Sequence, residues 1–373
     1  MKLHRTRVRL FMMVGAILIA AAAMYGCGQS RLTSPELEAQ LGTGARPISI
    51  DALRATMSVQ NKHTAALMRN EGVVGTATGV DAAGKPVILV LTERKLPAGK
   101  LPVSLDGVNV VEEVTGQIIA LKGGGGGVSH TAIQTPPIQL GTSGGPALDL
   151  ANGFCCGGTL GSLVQKGGNQ YILSNSHVFA GDVVSGGNGR VSSIGDDITQ
   201  PGLIDVNCTA GNAQVVADVS SLSTLYPPGS TPNVDCAIAQ ARSGMVRTDG
   251  AILEIGTLSS QTQAAAVNMA VKKSGRTTGL TRSSISGLNA TISVGYSDEC
   301  AGASFTKSFT GQILIKNNGS RFLNSGDSGS LMVQDVTSNP RAVGLLFAGS
   351  SSIAVANPIG DVLGHLGATM VGQ

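Results

Sequence analysis

The sequence predicts a mainly β protein, a barrel or sandwich of many short strands with a small α+β unit in front of it. From residue 154 onward, short apolar runs alternate with glycine-containing turns, as closed or stacked antiparallel sheets require. Glycine supplies 52 of 373 residues and charged side chains only 13%, which suits tight turns better than long surface helices. Upstream, one stretch of helical spacing precedes three strand-like runs, the order of an α+β unit. There is no Trp and only 3% aromatic residues, so Val, Ile, Leu and Ala must build the core.

The leader comes first. Residues 1–9 are basic, and 10–23 form an unbroken apolar run of 14 residues. That run is too short to span a bilayer comfortably and has the layout of a secretory signal. Met24-Tyr-Gly-Cys27 follows. Gly26 before a lone cysteine resembles the bacterial lipoprotein cleavage box, from which Met24 and Tyr25 depart. The expectation is a signal peptide over 1–26, a lipidated Cys27 that anchors the chain to a membrane, and a tether over 27–47. Simple cleavage nearby and an uncleaved anchor are the alternatives. All three export the remainder to a bacterial cell envelope or the extracellular side. Lys2, Arg5, Arg7 and Arg9 carry four positive charges, so a net +3 becomes −1 once the leader is removed. A near-neutral, aromatic-poor chain argues against a nucleic-acid partner.

Export permits disulfides. Five cysteines remain, Cys155, Cys156, Cys208, Cys236 and Cys300. The number is odd, so at least one is free or pairs between chains. Cys236 lies in an apolar run and reads as a buried thiol. No CxxC or His/Cys spacing suggests zinc, and no cofactor is expected.

Residues 48–122 make the small unit. Ser49 can cap a helix on which Leu53, Met57, Thr64, Leu67 and Met68 recur near helical spacing, and Gly72 stops it. The runs 73–80, 87–92 and 108–121 follow, with a turn at 81–86. Glu112 and Glu113 read as a solvated pair. Five consecutive glycines, 123–127, mark a flexible boundary, and the linker is placed over 123–137. His130, in polar company, reads as mobile and exposed. Residues 138–373 form the β domain, with 359–366 as a terminal helix.

The motif that carries chemistry is Asn324-Ser-Gly326-Asp-Ser328-Gly-Ser330. A serine hydroxyl becomes a nucleophile when a base takes its proton and fixed donors hold the resulting oxyanion. Two upstream residues each stand at the edge of an apolar run: His177 in Leu-Ser-Asn-Ser-His177, and Asp235 in Val234-Asp235. His130 and His365 lack such a setting. Asp197, Asp205 and Asp218 are the rivals of Asp235. The chain order His, Asp, Ser is that of the chymotrypsin barrels.

Taken with Cys156-Gly-Gly-Thr-Leu-Gly-Ser162, these segments resemble a chymotrypsin-type serine peptidase over roughly residues 138–373. Lys273-Ser-Gly-Arg-Thr-Thr-Gly-Leu-Thr281 and Val343-Gly-Leu-Leu-Phe-Ala-Gly-Ser350 are similar to the branch of Narrow Leaf 1-type proteins. The resemblance implies two antiparallel six-stranded β-barrels, with His177 as general base and Asp235 as its orienting carboxylate. It implies Ser328 as nucleophile and the Gly326 and Ser328 N–H groups as the oxyanion hole. It places Phe322 at the floor of the specificity pocket, where nothing would select Lys or Arg. It makes Phe347, Ala348 and Gly349 the strand that pairs with an extended polypeptide substrate. The chain departs from the family at Ser330, where Gly is usual, and lacks the cysteine that often follows the histidine. The implied function is an exported serine endopeptidase working through an acyl-enzyme.

Two other classes compete. One is a binding or scaffold protein that keeps the fold without useful turnover. The other is an α/β-hydrolase esterase using Ser143, because Gly141-Thr-Ser143-Gly-Gly145 matches the nucleophile elbow and Asp205 or Asp235 with His365 would complete it. The flanking prolines and the lack of alternating helices disfavour the second. Oligomeric state cannot be read from the sequence.

Overall fold

The computed structural model describes residues 48–120, 128–148, 150, 155–184, 190–229 and 231–373. Cys27, the leader, the tether and the glycine run lie outside the described residues.

Ser49 caps helix α1 (Ile50–Leu67), its hydroxyl accepting the Ala52 N–H at 3.3 Å. The buried positions of α1 are Thr56, Gln60 and Leu67, a more polar set than the sequence spacing selects. Gln60 tolerates burial because its bonds are made: it accepts the Thr78 hydroxyl and donates to the Asn289 carbonyl, both at 2.8 Å. Strands β1 (Val73–Val80) and β2 (Pro86–Thr92) form a hairpin, and β3 (Ser104–Leu105) and β4 (Val108–Val114) follow. The third apolar run is not one strand. Gly116, at φ 74°, breaks it, and Ile119–Ala120 form a separate short strand, β5. The two glutamates are not a solvated pair. Glu112 accepts the Leu96 N–H at 2.7 Å, and burial pushes the Glu113 carboxyl above its usual range.

His130, expected to be mobile, is buried on the short helix α2 (Val128–Thr131). Its Nε2 lies 2.7 Å from Glu254 Oε2 and its Nδ1 3.0 Å from the Gly141 carbonyl, so both ring nitrogens are held.

The first barrel contains β6 (Thr142–Pro146), β7 (Gly158–Leu160), β8 (Ser162–Lys166), β9 (Asn169–Ser174), β10 (Asp197–Gln200), β11 (Gln214–Leu222) and β12 (Ala237–Ala241). They pair in the order β8-β9-β12-β11-β10-β6-β7. Only Gly161 separates β7 from β8, so these are two halves of one bent strand, and the barrel closes with six. A Cβ on Gly161 would stand 2.1 Å from the Gly329 carbonyl oxygen, so only glycine fits where the two barrels touch.

The second barrel contains β13 (Ala270–Gly275), β14 (Gly279–Tyr296), β15 (Phe305–Lys316), β16 (Leu331–Gln334), β17 (Ala342–Gly349) and β18 (Ile353–Pro358). Their order is β13-β16-β17-β18-β15-β14, and β14 returns to β13, closing six antiparallel strands. The fold is therefore mainly β, a pair of six-stranded antiparallel barrels of chymotrypsin-like type. Each has its own apolar interior: Leu163, Ile172, Val216 and Ile238 in the first, Val271, Ile313, Met332 and Val343 in the second.

Strand β14 has 18 residues, long enough to serve two partners. Its first part pairs with β13, and the stretch from Gly287 to Ile292 pairs with β1. Through this pairing the N-terminal strands extend the second barrel's sheet. Disulfides join Cys155 to Cys208 and Cys156 to Cys300, the latter on helix α3 (Asp298–Ala301). Cys236 is a free, buried thiol, and burial raises its pKa. The terminal helix α4 (Ile359–Leu366) buries Ile359, Val362 and Leu366 in an apolar cluster that draws residues from both barrels.

Candidate active site

His177 lies on a single helical turn, residues 176–179, that follows β9, and Asp235 lies two residues before β12. Adjacent pairing of β9 with β12 brings them together. His177 Nδ1 is 2.5 Å from Asp235 Oδ2, and the His177 backbone N–H donates to Oδ1 at 3.3 Å. Asp235 is fully buried, so its charge needs these donors. A third comes from the Tyr296 hydroxyl, 3.0 Å from Oδ2. Burial, and then the Asp235 charge, raise the Tyr296 pKa well above the usual phenol value, so the hydroxyl stays protonated and donating. Asn357 accepts the Asp235 N–H, and Asn175 donates to the Asp235 carbonyl. With Nδ1 turned to the carboxylate, Nε2 is left as the acceptor nitrogen, and it has no hydrogen-bond partner among the described residues.

Ser328 sits in the loop before β16 and is fully buried. This loop docks on the first barrel: the Thr159 N–H donates to the Ser328 carbonyl at 2.9 Å, and the Thr159 hydroxyl to the Gly326 carbonyl at 3.0 Å. A Cβ on Gly158 would meet both Val178, the neighbour of His177, and the Ser328 carbonyl within 2.9 Å, so only glycine fits between the His177 turn and the Ser328 loop. The Ser328 hydroxyl donates to the Phe347 carbonyl at 3.1 Å rather than to His177. Gly326 takes φ 92°, and neither its N–H nor that of Ser328 is given to an acceptor among the described residues.

Asp327 fixes this loop. Its buried carboxylate accepts the N–H groups of Thr277, Thr278 and Asn324 and the Thr278 hydroxyl, and Lys273 Nζ stands 3.4 Å away. Desolvation lowers the Lys273 pKa, and the Asp327 charge opposes that shift. The Lys273–Thr281 segment thus holds the loop from within the second barrel. Ser330 fits in place of the usual glycine because Gly275 faces it; a Cβ there would lie 2.3 Å from the Ser330 hydroxyl.

Two cavities lie near these segments. One of about 350 Å³ lies between Leu323–Ser325, Gly349–Ser351 and the chain from Thr115 to Ile119, and no charged side chain lines it. Phe322, expected at the pocket floor, does not line it; its side chain packs in the second barrel's core, and Leu323, buried in the same core, borders the cavity. Gly349 lines the same cavity, whereas Phe347 and Ala348 are buried. The second cavity, about 30 Å³, lies between His177, Tyr296, Cys300 and Ala120.

Ser143 is not on an elbow. It lies in β6, paired antiparallel to β7 and near β10. Its hydroxyl donates to Asp205 Oδ2 at 2.5 Å and accepts the Gly202 N–H at 2.9 Å. Asp205 is gripped by Arg276 Nε at 2.7 Å and Nη2 at 2.5 Å. His365 lies on α4, beside Lys166. Sequence reasoning missed Tyr296, Asn357 and Arg276, which all lie outside the three segments that carry the motif.

Residues 234–356 match the family described as the Nal1 C-terminal domain, a stretch that includes Asp235 and Ser328 and begins after His177. No curated protein matches. Among solved structures, the chain is similar to a glutamic acid specific serine protease, at 19% identity and TM-score 0.39, over 62% of this chain and 100% of that one. It is similar to Thermobifida fusca Protease A, at 19% and 0.39, over 59% and 94%. It is also similar to the MamO protease domain from Magnetospirillum magneticum, at 13% and 0.34, over 66% and 94%.

Proposed function

We propose that the protein is an exported serine endopeptidase using His177, Asp235 and Ser328. The observation that carries this reading is the His177–Asp235 pair, whose Nε2 has no partner among the described residues; the Gly326 and Ser328 N–H groups, given to no acceptor there, support it. Rotation of the Ser328 hydroxyl away from the Phe347 carbonyl would let it give its proton to Nε2 as Oγ attacks a substrate carbonyl. The carbonyl electron pair moves to oxygen, which the Gly326 and Ser328 N–H groups stabilise. Collapse expels the amine, which takes the proton from His177, and leaves an acyl-Ser328. Water, deprotonated by His177, then releases the acid and restores the serine. Asp235 and Tyr296 hold the imidazole in the tautomer this requires. The uncharged 350 Å³ cavity suits a neutral side chain next to the scissile bond.

Two disulfides support an oxidising compartment, in keeping with the leader and a lipid anchor at Cys27. The mature N-terminus, identified by mass spectrometry, tests that part: an unlipidated terminus elsewhere than Cys27 overturns it. Labelling by a small fluorophosphonate, mapped by peptide sequencing, tests the chemistry. Stoichiometric label on Ser328 is expected. Absence of label points to a binding protein of the same fold, and label on Ser143 to the esterase.

A further inference from the structure

Strand β17 has one edge that changes partner along its length. Leu345 pairs with Leu331 of β16. Next, Leu346 exchanges bonds with Gly329 and Ser330, and the Phe347 carbonyl takes the Ser328 hydroxyl. Beyond Phe347 the edge is occupied by β5, with Ala120 opposite Ala348 and Ile119 opposite Gly349, antiparallel. Read from Ile119 to Ala120, β5 therefore runs toward Ser328, and Ala120 stands one register position from the residue that holds the serine hydroxyl. Ala120 also lines the small cavity against His177. On its other side β5 is clasped by β14: the Gly295 N–H donates to the Ile118 carbonyl at 3.0 Å. The Ile118 side chain is buried in the apolar cluster that includes Val294, Phe347 and Ala348. The approach is fixed as well, since the Ser352 hydroxyl donates to the Thr115 carbonyl at 3.3 Å.

We infer that β5 is an internal substrate mimic: it fills the groove that receives the acyl half of an extended peptide, and an external peptide must displace it. This inference rests on the proposed function for its chemistry, and on strand pairing alone for its geometry. Main-chain bonds to a sheet edge supply affinity, and alternate side chains supply selectivity. The mimic therefore also states what the groove takes. The residue facing His177 is small, because about 30 Å³ is all the space beside Ala120. The residue two before it is a buried aliphatic, Ile118 in the mimic. A strand tethered by a few residues competes at an effective concentration on the order of millimolar, enough to exclude weakly binding peptides.

The test uses the full chain and two independent ways of loosening β5. Ile118→Gly removes the buried anchor, and Ala120→Trp overfills the small cavity. The probe is a fluorescent amide peptide of sequence Thr-Gly-Gln-Ile-Ile-Ala, matching residues 115–120. The expected result is at least about tenfold tighter binding to a folded variant than to the parent, given an effective concentration of that order. Amide exchange at 346–350 should be faster in the variants and slow again when the peptide is added. Equal peptide affinity for the parent and for both variants, with unchanged exchange at 346–350, overturns the inference. Ser328 labelling is read in parallel with a small fluorophosphonate that does not need the groove. Loss of label in every form removes the peptidase reading and leaves the peptide result to decide the occupancy of β17.

Discussion

Two clusters built on an aspartate lie in this molecule, one at Ser143 and one at His177, and they differ in how completely their hydrogen bonds are closed. Around Ser143 every valence is closed: the hydroxyl donates to Asp205 and accepts the Gly202 N–H, and Arg276 saturates the carboxylate with two bonds. The Asp235 carboxylate is equally well fed, by His177 and Tyr296, but the network does not end there. It continues through the imidazole to Nε2, which has no partner among the described residues, and the Gly326 and Ser328 N–H groups are likewise given to no acceptor there. A closed cluster spends all its polar atoms on stability, whereas an open-ended one buries polar atoms whose bonds are not made, at a cost in stability.

The sharpest way to break this contrast is to delete each serine hydroxyl. Ser328→Ala should abolish fluorophosphonate labelling and peptide turnover with the thermal midpoint nearly unchanged. Ser143→Ala should keep the label and lower stability by about 1–3 kcal/mol, since Asp205 and Gly202 each lose a buried partner. Loss of label in Ser143→Ala with retention in Ser328→Ala would reverse the two roles.

The carboxylates extend the comparison. Asp235→Asn should cost on the order of 10⁴ in kcat, the scale of the analogous change in the triad of chymotrypsin-type enzymes. The mutant should stay folded, because the amide can still accept from Tyr296. Asp205→Asn takes the Asp205 charge away from a fully buried Arg276, and breaking a buried pair costs up to about 3–5 kcal/mol. Its kcat per folded molecule should remain within a few fold of the parent. Denaturant melts and active-site titration separate the two effects; a benign Asp235→Asn would reassign the orienting carboxylate.

How much of this was legible in the sequence differs between the two clusters. The His177–Asp235 contact could be read because each residue stands at the edge of an apolar run, so the polar residue marks itself against its neighbours. Tyr296 could not, since it closes a strand whose alternation accommodates it as one more inward residue. Arg276 and Lys273 lie in a glycine-rich polar stretch that looks like an exposed turn, yet both are buried against Asp205 and Asp327. The barrels were expected, but β5 was read as the tail of a longer strand. Nothing local announces that its partner is a strand more than 200 positions later. Phe322 was placed by counting back from Ser328, and a count along the chain does not say which side chains of a buried stretch border a cavity: Phe322 and Leu323 share one core, and only Leu323 reaches the cavity.

Tyr296 offers a smaller effect. Tyr296→Phe keeps the ring that stacks on Phe305 and removes only the hydroxyl given to Asp235. A hydrogen bond to a charged group contributes about 1.5–3 kcal/mol, so kcat should fall by roughly ten- to a hundredfold if the bond serves the imidazole cation. An unchanged kcat with lower stability would make Tyr296 purely structural.

The same residue predicts a pH signature. In the folded state the Tyr296 pKa is raised, by burial first and by Asp235 second, above the unfolded value of about 10. Below that unfolded value both states hold the phenol proton and the contribution is constant. As pH rises past about 10 the unfolded chain releases the proton while the folded chain retains it, so folding binds an extra proton and stability falls with pH. The slope from one such group approaches about 1.4 kcal/mol per pH unit. Lys273 acts oppositely, because desolvation lowers its pKa: its term raises stability with pH from the lowered value up to about 10.5 and then stops. The two can be separated above about 10.5, where only the tyrosine term of this pair still changes. Urea melts of the parent and Tyr296→Phe between about pH 9 and 11.5 should therefore diverge in that interval, the parent losing stability more steeply. Parallel curves would show that the Tyr296 hydroxyl ionises as readily in the folded protein as in the unfolded one, and that its bond to Asp235 does not hold.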